Sequence, residues 1–215
     1  MDRIHYESLV IYLKKTILFM AALCCAALCF GAVAADNAAT SGTTVLSQDS
    51  GKNVSLMKMT LFRSIDEFGI YGLGVGEAVK FTAPKSDWKL KSVEILAWSG
   101  FNNSTQSFPA DKNFLLEIRD KDLNVLYKFA DAQNNYFLSP TAPVYGTIEI
   151  PALIISGDFY VIFYDRGSAY VVMENGNGTG NSYLFSNGLM DPAERIIGTT
   201  NETVKVNWMI KAVGN

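Results

Sequence analysis

Phe114-Leu115-Leu116-Glu117-Ile118-Arg119 decides the fold class. Phe114, Leu116 and Ile118 fall on one side of an extended chain, while Glu117 and Arg119 fall on the other, the period-two pattern of a strand with one buried face. The same alternation sets Val93, Ile95 and Ala97 against Glu94, Leu96 and Trp98. Working outward, further apolar or alternating runs occur at Val54–Phe62, Glu77–Thr82, Leu90–Trp98, Val125–Phe129, Tyr145–Ile150, Asp158–Tyr164, Ala169–Glu174, Ser182–Phe185 and Val204–Ala212. Gly, Pro, Asn, Asp and Ser separate them, residues that supply the dihedral angles and local hydrogen bonds of turns. Nowhere does an i, i+3, i+4, i+7 stripe run long enough for a helix, and Asp191–Ile197 suits a single helical turn at most. Many short strands with turn signals between them predict an all-β chain, a single antiparallel β-sandwich of jelly-roll type over 54–215.

The N-terminus reads differently. Arg3, Lys14 and Lys15 precede an uncharged stretch, Thr16 to Val33, that ends in Ala32-Val33-Ala34. Basic, apolar and small-residue segments in that order predict a signal peptide over 1–34. The stretch is also long enough to span a bilayer, so an uncleaved anchor is the rival reading and the one route by which the chain would meet a membrane. None of the cysteines follows the small residues of a lipoprotein signal. Residues 35–53 are rich in Ala, Ser, Thr, Asn and Gly without apolar periodicity and read as a flexible spacer. This order predicts a secreted or cell-surface protein.

The 215-residue chain contains one His and three Cys, and all of them (His5, Cys24, Cys25 and Cys29) lie in the predicted leader. Its removal leaves no disulfide, thiol nucleophile, Ser-His-Asp triad or Cys/His zinc site. The formal net charge of −3 and the absence of a basic run argue against nucleic acid as a partner. No catalytic residue, metal or cofactor is assigned.

Several segments together resemble a known family. Gly74-Val75-Gly76-Glu77-Ala78-Val79-Lys80-Phe81-Thr82-Ala83-Pro84 is followed by Trp88-Lys89-Leu90-Lys91-Ser92-Val93-Glu94-Ile95 and by the Phe114–Asp120 run. Then come Gly157-Asp158-Phe159-Tyr160-Val161-Ile162-Phe163 and a closing Asn207-Trp208-Met209-Ile210-Lys211-Ala212. Over most of 66–213 this order is similar to the galactose-binding-like jelly-roll modules of exported archaeal and bacterial proteins. The resemblance implies an accessory or surface module. Its motifs are core strands, so it speaks to fold more than to function.

Candidate sites are few. In Phe159-Tyr160-Val161-Ile162-Phe163-Tyr164-Asp165 the set Phe159, Val161 and Phe163 suits a core, which turns Tyr160, Ile162 and Tyr164 the other way. Tyr170, Tyr183 and Trp98 are candidates to extend that face into a ligand-binding platform for an extracellular glycan or surface protein, since sugar rings pack their C–H faces on aromatic rings. The competing reading makes these rings second-sheet packing. Glu94, Glu117, Glu149, Glu174, Asp158 and Asp165 lie on or beside strands and are the remaining acid–base groups, which keeps a carboxylate-based glycoside hydrolase as an alternative. Asp120-Lys121-Asp122-Leu123-Asn124 begins like an EF-hand loop, but Val125 stands where glycine is needed and Asp131 where glutamate is needed, so it reads as a polar turn. The glycines of Gly72–Gly76 and Asn175–Gly180 read as bends and mobile turns. Asn-x-Ser/Thr triplets begin at Asn53, Asn102, Asn103, Asn177 and Asn201 and suit surface loops.

These features together predict a non-catalytic secreted or cell-surface binding module, with a purely structural surface protein as the alternative. N-terminal sequencing of the protein from its native host is expected to begin at Ala35. Membrane-bound protein that retains Thr16–Val33 would establish the anchor instead.

Overall fold

A computed structural model describes residues 42–57, 59–61, 74–165, 169–176, 178–197 and 201–215. The predicted leader, Phe62, the Gly72-Leu73 pair and Asn177 lie outside them. The described chain is nearly all β and forms two packed antiparallel sheets, compatible with the jelly-roll type.

The first sheet has six strands: β3 (Val75–Thr82), β5 (Asn113–Asp120), β6 (Val125–Ala132), β8 (Asp158–Tyr164), β10 (Ser182–Ser186) and β11 (Leu189–Pro192), in the order β11-β10-β3-β8-β5-β6. The second has eight: β1 (Thr44–Ser47), β2 (Met59–Leu61), β4 (Trp88–Trp98), β7 (Val144–Ile155), β9 (Tyr170–Asn175), β12 (Glu194–Ile197), β13 (Glu202–Trp208) and β14 (Ile210–Gly214). Its main path runs β1-β14-β4-β9-β13-β12, with β7 on β4 and β2 on β9. Alternation places Phe81, Phe114, Leu116, Phe159 and Phe163 of the first sheet and Trp88, Ile95, Met173, Trp208 and Ile210 of the second in one interior, each at most 1% exposed. The Trp88 and Phe159 rings, one from each sheet, lie 5.8 Å apart. Phe137, on the short helix α1 (Asn134–Phe137), enters the same core 5.7 Å from Phe163. A methyl at Gly146 would meet the Phe137 ring at 2.5 Å, so glycine there admits the helix.

One side of the sandwich is closed by the chain itself. β10 and β11 form a hairpin whose two-residue turn, Asn187 (φ 50°) and Gly188 (φ 84°), has both residues in the left-handed region that type I′ turns require. The chain then crosses from one sheet to the other at Ala193. The Ala193 N–H donates to the Ser182 carbonyl at 2.9 Å, and the Val206 N–H donates to the Ala193 carbonyl at 3.1 Å. The Trp208 N–H reaches across to Ser182 Oγ at 3.0 Å, and its indole N–H donates to the Tyr183 carbonyl at 2.8 Å.

Four sequence expectations are corrected. Thr44–Ser47, placed in the spacer by its composition, is a strand, because β14 offers it a partner along Thr44↔Gly214 to Ser47↔Lys211. The run beginning at Val54 starts with a 3₁₀ turn over Val54–Leu56, capped by Asn53 Oδ1 accepting from the Ser55 N–H at 3.0 Å, and among its described residues the strand is Met59–Leu61. Asp191–Ile197 is not a helical turn, since its two ends pair with β10 and β13. The Val204–Ala212 run divides at Met209, whose N–H donates to Val172 and whose carbonyl accepts from the Leu96 N–H, so the chain changes neighbours from β9 to β4.

Trp208 fills the core and ties the sheets together. Trp208→Ala is expected to cost about 3–5 kcal/mol of unfolding free energy, read in urea titrations, by lost burial and the cavity left behind.

Candidate functional site

The outward face of the six-stranded sheet carries the most organised set of side chains. Register aligns Lys80, Tyr160 and Arg119 in one row across β3, β8 and β5. Tyr183, Ala78, Ile162, Glu117 and Lys128 form the next row, and Phe185, Gly76, Tyr164 and Leu115 the third. Glycine at position 76 matters because a Cβ there would stand 2.7 Å from Ile162 Cγ2 and 3.0 Å from Tyr164 Cδ1. Without it Tyr164 and Phe185 meet edge to face at 6.5 Å.

Glu117 is the hub of this face, with its side chain only 3% exposed. Its Oε2 accepts from Arg119 Nε at 2.8 Å, Arg119 Nη2 at 2.6 Å and the Tyr164 hydroxyl at 3.1 Å, while Oε1 pairs with Lys128 Nζ at 2.8 Å. Burial alone would raise the Glu117 carboxyl, but Lys128, Arg119 and Tyr164 together hold it below its ordinary value. Burial and the Glu117 charge push the Tyr164 phenol up, so the hydroxyl remains a donor. Arg119 also donates to the Leu123 carbonyl at 2.8 Å, and its guanidinium lies 4.8 Å from the Phe185 ring centre. Phe185 stands on β10, beyond β8 and β3, so Arg119 reaches it by lying across the sheet.

The predicted aromatic residues divide into three groups. Tyr160 and Tyr183 are half-buried and meet edge to face at 6.2 Å. Beside them Lys80 Nζ contacts Asp158 Oδ2 at 2.6 Å, and Thr82 donates to Asp158 Oδ1 at 2.7 Å. Tyr164 shares their side but is 6% exposed and presents no open ring face. Trp98 and Tyr170 belong to the other sheet, where they oppose each other on β4 and β9. The Trp98 indole donates to the Ser139 carbonyl at 2.7 Å, and the Tyr170 ring packs where a Gly100 side chain would stand. The single platform drawn from sequence is therefore split between opposite sheets, because alternation gives the face of a strand but not the sheet it joins.

The outward face of the eight-stranded sheet is covered in part by the chain. Val54 and Met57 pack with Tyr145 on Leu96, Val172 and Met209. The Ser50 N–H and Asn207 Nδ2 both donate to Glu174 Oε2, at 2.9 and 3.0 Å. Among the strand carboxylates, Glu117, Glu174 and Asp158 are thus bound into hydrogen-bond sets. The Asp120 turn keeps its carboxylate for its own chain: Oδ1 accepts from the Asp122 and Asn124 N–H groups, each at 2.9 Å. At the Asn102 triplet, Oδ1 accepts from the Ser104 N–H at 2.9 Å. Among the described residues no group of three or more His, Cys, Asp or Glu stands where it could hold a metal ion, and no helix is long and apolar enough to cross a membrane.

Sequence reasoning missed Lys80 and Arg119 as neighbours of Tyr160, and it missed Glu77, an inward carboxylate. The signal for Glu77 was present: Val75, Glu77, Val79 and Phe81 share a parity, and Val79 and Phe81 are core.

Tyr164→Ala is expected to cost about 3–5 kcal/mol of stability, whereas Tyr160→Ala costs about 1 kcal/mol or less, both read by urea unfolding. Glu117 has a depressed folded pKa, so its contribution is present above the unfolded value of about 4.3 and lost as pH falls through the folded value. Glu117→Gln is therefore expected to be less stable than the parent at neutral pH, with the difference shrinking in acid.

No known family model matches the chain, and no curated protein matches it in sequence.

Proposed function

We propose that this chain is a non-catalytic, secreted or cell-surface binding module of the galactose-binding-like kind, and that it holds an extracellular glycan on the outward face of its six-stranded sheet. The observation that carries this reading is the Tyr160–Tyr183 pair, half-exposed beside the fixed Lys80–Asp158 pair. Aromatic faces take the C–H side of a sugar ring, and a neighbouring ammonium and carboxylate supply donors and acceptors for its hydroxyls. The leader-like N-terminus supports an extracytoplasmic location, where free glycans and surface polymers are the available partners. Trp98, Tyr164 and Tyr170 have no part in this reading, since none joins the exposed pair.

A purely structural surface protein is the second reading, favoured by Glu117, Arg119, Tyr164 and Phe185 satisfying one another on the same face.

A glycan array probed with the protein is expected to show retention without turnover. Tyr160→Ala and Tyr183→Ala should each weaken it by roughly 1–3 kcal/mol while leaving the melting temperature nearly unchanged. Retention of no glycan would leave the structural reading, and hydrolysis of a bound glycan would establish the enzyme.

A further inference from the structure

Glu77 sits where a strand offers its side chain no water. It lies on the inward face of β3, between Val75 and Val79, and is 3% exposed. Its neighbours in register are Phe163 on β8 and Leu184 on β10, both in the core. β13, packed across from β3, turns Val206 and Trp208 inward. The cation on β3, Lys80, is on the opposite face and paired with Asp158. Among the described residues, the charged group that acts on Glu77 is Asp165, just beyond the end of β8 and 6% exposed, and it has the same sign. Glu77 Oε2 has no hydrogen-bond partner.

An ionised carboxylate in that position would lose its hydration and face a like charge, while the neutral acid avoids both costs. We propose that the folded sandwich carries Glu77 as the neutral carboxylic acid, making it a pH-sensitive lock on β3 that is closed in acid and works loose as pH rises. β3 lies between β10 and β8, so a charge appearing there strains both joints of the central strand at once.

The direction of titration agrees with the geometry. Burial first, then Asp165, raise the Glu77 carboxyl well above its ordinary range, against a smaller opposing effect from its backbone hydrogen bond. The unfolded chain ionises this group at about 4.3, and the folded one at a higher value. Between the two values the unfolded state has released one proton more. Stability from the neutral acid is full below the unfolded value and is lost as pH rises towards the folded one, with the unfolding constant growing about tenfold per pH unit. Glu117, Asp120, Asp131 and Asp158 are shifted downward, so their linked losses fall on the acid side of this window.

The test is urea unfolding of the protein and its Glu77→Gln form from about pH 5 to about pH 8. The ratio of their unfolding constants is expected to climb about tenfold per pH unit until the folded group ionises, with the Gln form the more stable at the upper end. In parallel, the Glu77 carboxyl carbon is followed by NMR in the parent protein, which decides the matter even if the Gln form fails to fold. Its resonance is expected to stay at the protonated position through the range where ordinary carboxylates titrate. A flat stability ratio, or titration of Glu77 in the ordinary carboxylate range, overturns the proposal.

Discussion

The joint at Ser182 holds the two sheets in one relation. Its carbonyl accepts from Ala193 and its hydroxyl from the Trp208 N–H, while the Trp208 indole reaches the neighbouring Tyr183 carbonyl. Apolar contact between face-to-face sheets is non-directional and by itself tolerates sliding. Directional bonds at this edge fix the offset between β10 and β13. That offset sets which side chains of β3 and β8 interdigitate with those of β4 and β14. The crossing at Ala193 also means that neither β11 nor β12 ends in an open corner, since the chain carries its backbone hydrogen bonding from one sheet into the other.

Charge is placed on this frame in two contrasting ways. On the outward face, Glu117 is shielded from water but surrounded by Arg119, Lys128 and Tyr164, so the anion is the stable form. Two strands away and on the inward face, Glu77 has apolar neighbours and a like charge, so the neutral form is favoured. Both carboxyls are nearly inaccessible, and the difference lies in what each finds within reach. The Glu117 set also explains why so much of an outward sheet face is closed: Arg119 lies across the sheet to Phe185, and Tyr164 is pinned beneath. The Tyr160–Tyr183 pair stands at the border of this closed patch, flanked by Lys80 and Asp158.

The sequence by itself determined that the chain is a β-sandwich and which side of each central strand faces the core. Phe114, Leu116 and Ile118 are all 0% exposed, as their alternation requires, and Phe159, Val161 and Phe163 behave likewise. The reason is local: successive side chains of an extended chain must point to opposite faces, and one face must leave water. Turn chemistry at Asp120–Asn124 was legible for the same reason, because its hydrogen bonds close within the turn. Only the tertiary structure decided what lies beside what. Trp98 and Tyr170 have the parity of surface rings, as Tyr160 and Tyr183 do, yet β4 and β9 belong to the other sheet. Thr44–Ser47 becomes a strand because β14, at the far end of the chain, presents its edge. The Val204–Ala212 run divides because two different strands claim its halves at Met209. Strand partners are chosen by long-range packing, which a periodicity of two residues does not encode.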